Sequence, residues 1–134
     1  MTTILVVEDS GPSRDALVRH LEARQYAVIT AGDNSTGLAR ARESQPDLIL
    51  LDLATPGMDG WNATAELKTH PATRHIPVIV LSSLTQPNER HRALAAGGDD
   101  LDSKPVEFDR LLAKIETLLA SSSGFSKSES ASGI

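Results

Sequence analysis

Acidic, hydroxyl and amino side chains stand at the ends of four short apolar runs, where they could act together on one substrate. Glu8 and Asp9 end the run that begins at Thr3, and Asp52 follows the run at 48–51. Ser82 follows the run at 78–81, and Lys104 a weaker run around Leu101. Each residue taken alone has an ordinary explanation in a turn or a helix cap. Together, however, the three acids would raise one another's pKa unless a cation neutralised them.

This combination of groups suits the transfer of a phosphoryl group onto a carboxylate. Mg²⁺ characteristically binds one or two protein carboxylates together with waters and phosphate oxygens, so Glu8, Asp9 and Asp52 are its candidate ligands. Lys104 would add a permanent positive charge and Ser82 a hydroxyl donor for a phosphoryl oxygen. The sequence therefore predicts that Asp52 accepts a phosphoryl group with the help of Mg²⁺.

These residues can meet only if the apolar runs are neighbouring parallel strands. Such runs lie at residues 3–8, 27–30, 48–51 and 78–81, with a weaker one around Leu101. Continuous apolar runs are typical of strands that are covered on both faces of a sheet. In an open α/β sheet, ligands bind beyond the carboxyl ends of the strands, which is where the polar residues fall.

Stretches with helical spacing separate the strands. Leu17 and Leu21 share one helix face, as do Leu111, Ile115 and Leu118 further along, because apolar residues three and four positions apart align on a helix. Strands and helices that alternate in this way form a doubly wound parallel sheet with right-handed crossovers. We expect an α/β fold with five strands in the order 2-1-3-4-5, as in flavodoxin-like proteins.

Composition narrows the class of protein. The 134 residues are 40% hydrophobic and include no Cys, so one domain with an ordinary core is expected and disulfides are excluded. A net charge of −5 and four aromatic residues disfavour direct nucleic-acid binding, which needs clustered cations or stacking surfaces. No apolar run approaches the roughly 18 residues of a membrane span, and the N-terminus lacks a signal-peptide pattern. We expect a cytoplasmic protein without membrane insertion.

The end of the chain differs in composition from the rest. Seven of the fourteen residues from Ser121 onwards are Ser, and few are apolar. Such a segment cannot build a core. Residues 1–120 are therefore predicted to form the domain, and residues 121–134 a disordered tail or linker.

Four segments of the sequence resemble the receiver domains of two-component response regulators. They are ILVVEDS from Ile4, PDLILLDLATPGMDG from Pro46, IPVIVLSS from Ile76 and GGDDLDSKP from Gly97. The resemblance extends over roughly residues 2–120. It implies a signalling switch rather than an enzyme with a substrate of its own, phosphorylated by a sensor histidine kinase or a histidine phosphotransfer protein. It also implies a downstream protein partner, whose identity the sequence leaves open.

The resemblance assigns a role to each matching residue. Asp52 matches the phosphoacceptor, Asp9 the direct metal ligand and Glu8 an acid that acts beside it, usually through water. Ala54 matches the position whose backbone carbonyl also binds the metal. Ser82 matches the switch hydroxyl and Lys104 the phosphate-contacting lysine, and the bond from Lys104 to Pro105 resembles the family's cis peptide.

Three positions depart from the pattern of many relatives. Leu101 stands where a Tyr or Phe is frequent, Ser83 where a smaller Ala or Gly is frequent, and Val106 where a Phe is frequent. None of the three removes a chemical group from the predicted phosphorylation site. They concern how phosphorylation would be communicated to the rest of the domain, and the sequence leaves that mechanism open.

Three other functions compete with this interpretation. An aspartate-nucleophile phosphatase would need a D-x-D motif after the first strand, where this chain has Glu8-Asp9-Ser10-Gly11. A flavodoxin-like cofactor binder shares the expected fold, but the acidic first loop would repel a phosphate that lacks a metal. A receiver-like docking module that is never phosphorylated would not need the acids and Lys104, all of which are present.

Overall fold

The computed structural model describes residues 1–83 and 88–132, with their side chains as far as residue 121. Within this part of the chain, five parallel strands form one sheet. The strands are β1 (Thr3–Val7), β2 (Ala27–Ala31), β3 (Leu48–Asp52), β4 (Val78–Ser82) and β5 (Asp100–Ser103). The helices are α1 (Gly11–Ala23), α2 (Asn34–Ser44), α3 (Gly60–Thr69), α4 (Glu89–Ala95) and α5 (Phe108–Ser132).

The strand order is β2-β1-β3-β4-β5, which confirms the predicted doubly wound α/β fold. The predicted strand bounds differ from the observed ones by a single residue. β1 ends at Val7 rather than at Glu8, whereas β2, β3 and β4 each extend one residue beyond their apolar run. The polar residues Asp52 and Ser82 are still paired with neighbouring strands, because main-chain hydrogen bonds form whether or not the side chain is apolar.

Each face of the sheet is covered by its own hydrophobic cluster, because successive side chains of a strand point to opposite faces. Along β1, Leu5 and Val7 belong to the cluster beneath α2, α3 and α4. Ile4 and Val6 belong to the cluster beneath α1 and α5. Burial of each such side chain contributes roughly 1.5–3 kcal/mol, so the two clusters hold the strands in fixed register.

The helix faces agree with the predicted apolar spacing. Leu17 and Leu21 of α1 and Leu111 and Ile115 of α5 are buried in the second cluster, and Leu118 packs against it. Where the structure describes the chain, it contains no helix long and apolar enough to cross a membrane.

The predicted boundary at Ser121 lies within the C-terminal helix. The backbone of α5 continues to Ser132, while the side chains from residue 122 onwards and residues 133–134 lie outside the described part. The disordered tail or linker expected over residues 121–134 therefore stays a prediction.

Candidate functional site

The carboxyl ends of β1, β3, β4 and β5 bring the predicted residues to one edge of the sheet. β3 lies between β1 and β4, and its last residue, Asp52, is paired with Leu81 of β4. The backbone N–H of Lys104 donates a hydrogen bond to the carbonyl of Ser82 at 2.8 Å. The order of the strands thus brings together residues that are far apart in the sequence.

Asp52 is the central side chain of this edge and is only 1% exposed. One carboxylate oxygen, Oδ1, accepts a hydrogen bond from the backbone N–H of Ala54 at 2.8 Å. The other, Oδ2, accepts one from Lys104 Nζ at 2.6 Å. Charge-assisted hydrogen bonds of this length are among the stronger polar contacts in proteins, so the carboxylate is held in a fixed orientation.

Glu8 lies beside Asp52 and is also buried. Its pKa is raised from 4.5 to about 7, chiefly by burial, then by a hydrogen bond to Asp52 and by repulsion from the Asp52 charge. The Lys104 ammonium lowers this pKa, and Asp9 raises it further. Burial, together with the mutual repulsion among the acids that the sequence predicted, therefore leaves Glu8 partly protonated near neutral pH.

Asp9 is exposed, although its charge reaches Glu8. Among the described residues, no group of three or more His, Asp or Glu side chains is arranged to hold a metal ion. The donor chemistry nevertheless suits a hard cation, since Mg²⁺ needs only one or two protein carboxylates. The carboxyls of Asp9 and Asp52, with the buried Glu8 beside Asp52, supply such groups at this edge of the sheet.

The loop after β3 is fixed by a residue that the sequence did not single out, Asn34. Its side-chain amide donates to the carbonyls of Thr55 at 3.2 Å and Met58 at 2.5 Å, and its backbone N–H donates to the carbonyl of Pro56 at 3.0 Å. Gly57 has a φ of +103°, a conformation that favours glycine. Asn34 thereby holds the segment that follows Asp52, and no local sequence signal marks a contact of this separation.

Ser82 is buried, and its hydroxyl donates a hydrogen bond to Glu89 Oε2 of α4 at 2.5 Å. Glu89 is also buried and was not predicted as a site residue. It stands in the first turn of α4, where an acid is ordinary and gives no sign of a long-range partner. Lys104 and Pro105 are joined by a cis peptide, as the sequence resemblance implied.

The chain belongs to the response regulator receiver domain family, whose model matches residues 4–116. It is 41% identical over 115 residues to the response regulator PleD of Caulobacter vibrioides, covering 86% of this chain and 25% of PleD. It is 34% identical over 120 residues to the protein PilH of Pseudomonas aeruginosa, covering 90% of this chain and 99% of PilH. The chain thus spans about a quarter of PleD but nearly all of PilH.

Solved structures agree with this assignment. The chemotaxis response regulator CheY4 of Vibrio cholerae matches with a TM-score of 0.82 and 26% identity, covering 88% of this chain and 98% of that one. The receiver domain of the sensor histidine kinase PA1611 of Pseudomonas aeruginosa matches with a TM-score of 0.81 and 27% identity, covering 89% and 98% of the two chains. That structure has a magnesium ion coordinated in its active-site cleft. Receiver domains are phosphoryl-accepting signalling switches that interact with histidine kinases and downstream effectors.

Proposed function

We propose that Asp52 accepts a phosphoryl group from a histidine kinase or histidine phosphotransfer protein and that the modified domain binds a downstream protein in the cytoplasm. The observation that carries the proposal is the state of the Asp52 carboxylate. It is buried, oriented by the Ala54 N–H and paired with Lys104. A buried carboxylate with a fixed cation beside it suits phosphoryl transfer, which depends on positioning and on stabilisation of charge.

The transfer exchanges one bond for another. An oxygen of Asp52 attacks the phosphorus of a phosphohistidine, the new P–O bond forms as the P–N bond breaks, and the imidazole leaves with the electron pair and takes up a proton. Lys104, already 2.6 Å from Asp52 Oδ2, then faces a group with additional negative charge. Ser82, at the end of the neighbouring strand, offers a hydroxyl to one of the phosphoryl oxygens.

Mg²⁺ would be held by Asp9, Asp52 and the backbone carbonyl of Ala54, with Glu8 acting through water. When bound, the ion supplies positive charge that offsets the charge of the acids and of the phosphoryl oxygens. Trp61 is the single Trp of the chain and follows the loop after Asp52, so we expect its fluorescence to report binding. Mg²⁺ affinity should fall with decreasing pH, because protonated carboxylates are poor ligands. Equal Mg²⁺ affinities of wild type and Asp9→Ala would count against this ligand set.

The phosphodonor has an approach through a cleft of about 730 Å³ between α1 and the start of α5. Glu8 and Lys104 lie at one part of its lining, and His20 and Phe108 line another. The rings of His20 and Phe108 are stacked with their centroids 4.6 Å apart. An open, partly apolar cleft that reaches the acidic site suits a protein donor, whose phosphohistidine must come close to Asp52.

Acetyl phosphate with Mg²⁺ tests the phosphoacceptor directly. We expect wild type to gain one phosphoryl group, measured by intact-protein mass, and Asp52→Asn to gain none. Asp59→Asn is a matched control, since Asp59 is an exposed helix cap of α3 and should leave labelling unchanged. Undiminished labelling of Asp52→Asn would refute the assignment, and an unlabelled wild type would favour the docking module.

A further inference from the structure

The hydrogen bond between Ser82 and Glu89 joins the candidate phosphorylation site to α4. Ser82 Oγ lies 2.5 Å from Glu89 Oε2. The two residues are 3% and 8% exposed, so water competes little for either group. A hydrogen bond to a buried carboxylate is stronger than one between neutral groups. The Ser82 hydroxyl is therefore committed to α4 in this state of the molecule.

A serine hydroxyl has one proton to donate. It cannot donate that proton to Glu89 and to a phosphoryl oxygen at the same time. We propose that Glu89 is a positioning residue that holds the Ser82 hydroxyl in the unphosphorylated state and must release it when Asp52 is phosphorylated. This inference rests on the proposed function, because it requires a phosphoryl group at Asp52.

Release of Glu89 has a structural consequence on the outer surface of α4. Arg92 lies one helical turn after Glu89, and its guanidinium lies over the ring of Trp61 at 5.0 Å from the centroid. Glu89, Arg92 and Trp61 line one cleft between α3 and α4. Because Glu89 and Arg92 share a short helix, a shift of Glu89 changes the Arg92–Trp61 contact. Exchange of the Ser82 hydroxyl from Glu89 to a phosphoryl oxygen thus alters the surface between α3 and α4.

Glu89 therefore opposes the change from the unphosphorylated to the phosphorylated arrangement. The phosphorylated state forms only after the Ser82–Glu89 bond is broken, so the bond stabilises the unphosphorylated state relative to the phosphorylated one. Removal of the Glu89 carboxylate should shift the equilibrium in favour of the phosphorylated arrangement. Glu89→Gln keeps an acceptor oxygen but loses the charge, so its effect should be smaller in the same direction.

The first experiment titrates beryllofluoride, a phosphoryl mimic, in the presence of Mg²⁺ while Trp61 fluorescence and amide chemical shifts are recorded. We expect Glu89→Ala to reach half-saturation at about a tenfold lower beryllofluoride concentration, the size expected when a hydrogen bond to a charged group no longer has to be broken. Without the mimic, its Trp61 emission should already lie close to that of beryllofluoride-bound wild type. His91→Ala, an exposed position on the same helix, should behave as wild type.

The second experiment separates this role from a purely structural one by repeating the titration in a Ser82→Ala background. If Glu89 acts through the Ser82 hydroxyl, Glu89→Ala should change the half-saturation concentration by less than about twofold there. A tenfold effect that persists without the hydroxyl would overturn the inference. So would a wild-type response that Glu89→Ala leaves unchanged.

A third measurement covers the possibility that Glu89→Ala folds poorly. Urea unfolding of wild type, Ser82→Ala, Glu89→Gln and the double variant, without Mg²⁺ or beryllofluoride, tests the contact itself. The two substitutions should be coupled by about fivefold or more in the unfolding equilibrium constant, and additive effects would overturn the inference. Absence of any saturable wild-type response to beryllofluoride would overturn the proposed function, and this inference with it.

Discussion

The buried carboxyl of Glu8 makes the stability of the folded protein depend on pH. Its carboxyl is buried next to Asp52, and its pKa is raised to about 7. An exposed glutamate in the unfolded chain ionises with a pKa near 4.5. Between these two values, folding requires Glu8 to keep a proton that it would otherwise lose. The folded state is therefore most stable, with respect to this group, below the unfolded-state pKa.

The first prediction is a pH dependence of stability in the absence of divalent metal. The contribution of Glu8 is fully present below about pH 4.5 and is lost as the pH rises through about 7. Over that interval the free energy of unfolding should fall by roughly 1–3 kcal/mol on account of this group. Urea unfolding at a series of pH values, with Glu8→Gln as the comparison, measures the difference. Parallel pH profiles for the two proteins would show that the raised pKa does not act on stability.

The second prediction concerns Lys104. Its ammonium donates to Asp52 Oδ2 at 2.6 Å. Arg would bring a larger, planar group with a different set of donor directions to the same place. Lys104→Arg should slow labelling by acetyl phosphate by roughly 10- to 100-fold, because a displacement of about an ångström is enough for such a loss. Lys114→Arg, at a half-buried lysine of α5 that pairs with Asp100 and Asp102 rather than with Asp52, provides a control that preserves charge. Labelling of Lys104→Arg at the wild-type rate would exclude a positioning role.

The sequence predicted the residues of the site better than it predicted their connections. Asp52, Glu8 and Lys104 could be found because each stands at the end of a strand or directly after it, and parallel strands bring their carboxyl ends together. Glu89 and Asn34 were missed because their roles depend on contacts between elements. An acid or an amide near the start of a helix is common, so neither position carries a signal of its partner.

At the scale of elements, the contact between β5 and α5 includes a buried acid. Asp102 is 3% exposed, and its Oδ1 accepts from Arg110 Nε at 2.7 Å. Lys114 Nζ lies 3.5 Å from the same oxygen and donates to the carbonyl of Leu101 at 2.6 Å. In the described part of the chain, Asp102 Oδ2 is a buried oxygen without a hydrogen-bond partner. The acid is thus only partly compensated by the two cations of α5.

The third prediction follows from this imbalance. Replacement of a buried ion pair by an apolar side chain is often neutral, whereas removal of the cations alone leaves a buried charge unpaired. Asp102→Val removes the fully buried charge and leaves Arg110 and Lys114, whose side chains are 42% and 23% exposed, in reach of water. It should therefore change the free energy of unfolding by less than about 1 kcal/mol. The double variant Arg110→Ala/Lys114→Ala should lose about 3–5 kcal/mol. Denaturant unfolding compares the two, and equal losses would mean that the ionic contacts themselves hold α5 on the sheet.

The strands were easiest to predict from the sequence where both of their faces are buried. The runs that became β1, β3 and β4 are continuous and apolar, and all three strands lie inside the sheet. β2 and β5 stand at its edges. The run for β2 ends in the polar Thr30 and the run around Leu101 was weaker, because an edge strand buries less of its side chains. Strand ends could not be fixed to the residue, since hydrogen bonds rather than hydrophobicity decide them.

At the scale of the whole molecule, the hydrophobic clusters and the family match extend over nearly the same residues. The cluster beneath α1 and α5 includes Leu118 and Leu119 at its margin, and the family match ends at residue 116. The nearly full-length match to PilH extends over 120 residues. A domain of this size ordinarily unfolds as one cooperative unit. Its C-terminal limit can therefore be found by shortening the chain and measuring the unfolding transition.

The last prediction is that a chain ending at Ala120 keeps both the fold and the site. The described core contacts of α5 come from residues up to Leu119, so the truncation should leave every described apolar contact in place. Its thermal midpoint should stay within about 3 °C of the full chain, a shift that corresponds to less than about 1 kcal/mol for a domain of this size. Its labelling by acetyl phosphate should also be unchanged. A chain ending at Arg110, which lacks Leu111 and Ile115 of the core, should not unfold cooperatively. A large loss of stability on truncation at Ala120 would mean that residues 121–134 pack against the domain instead of forming a tail.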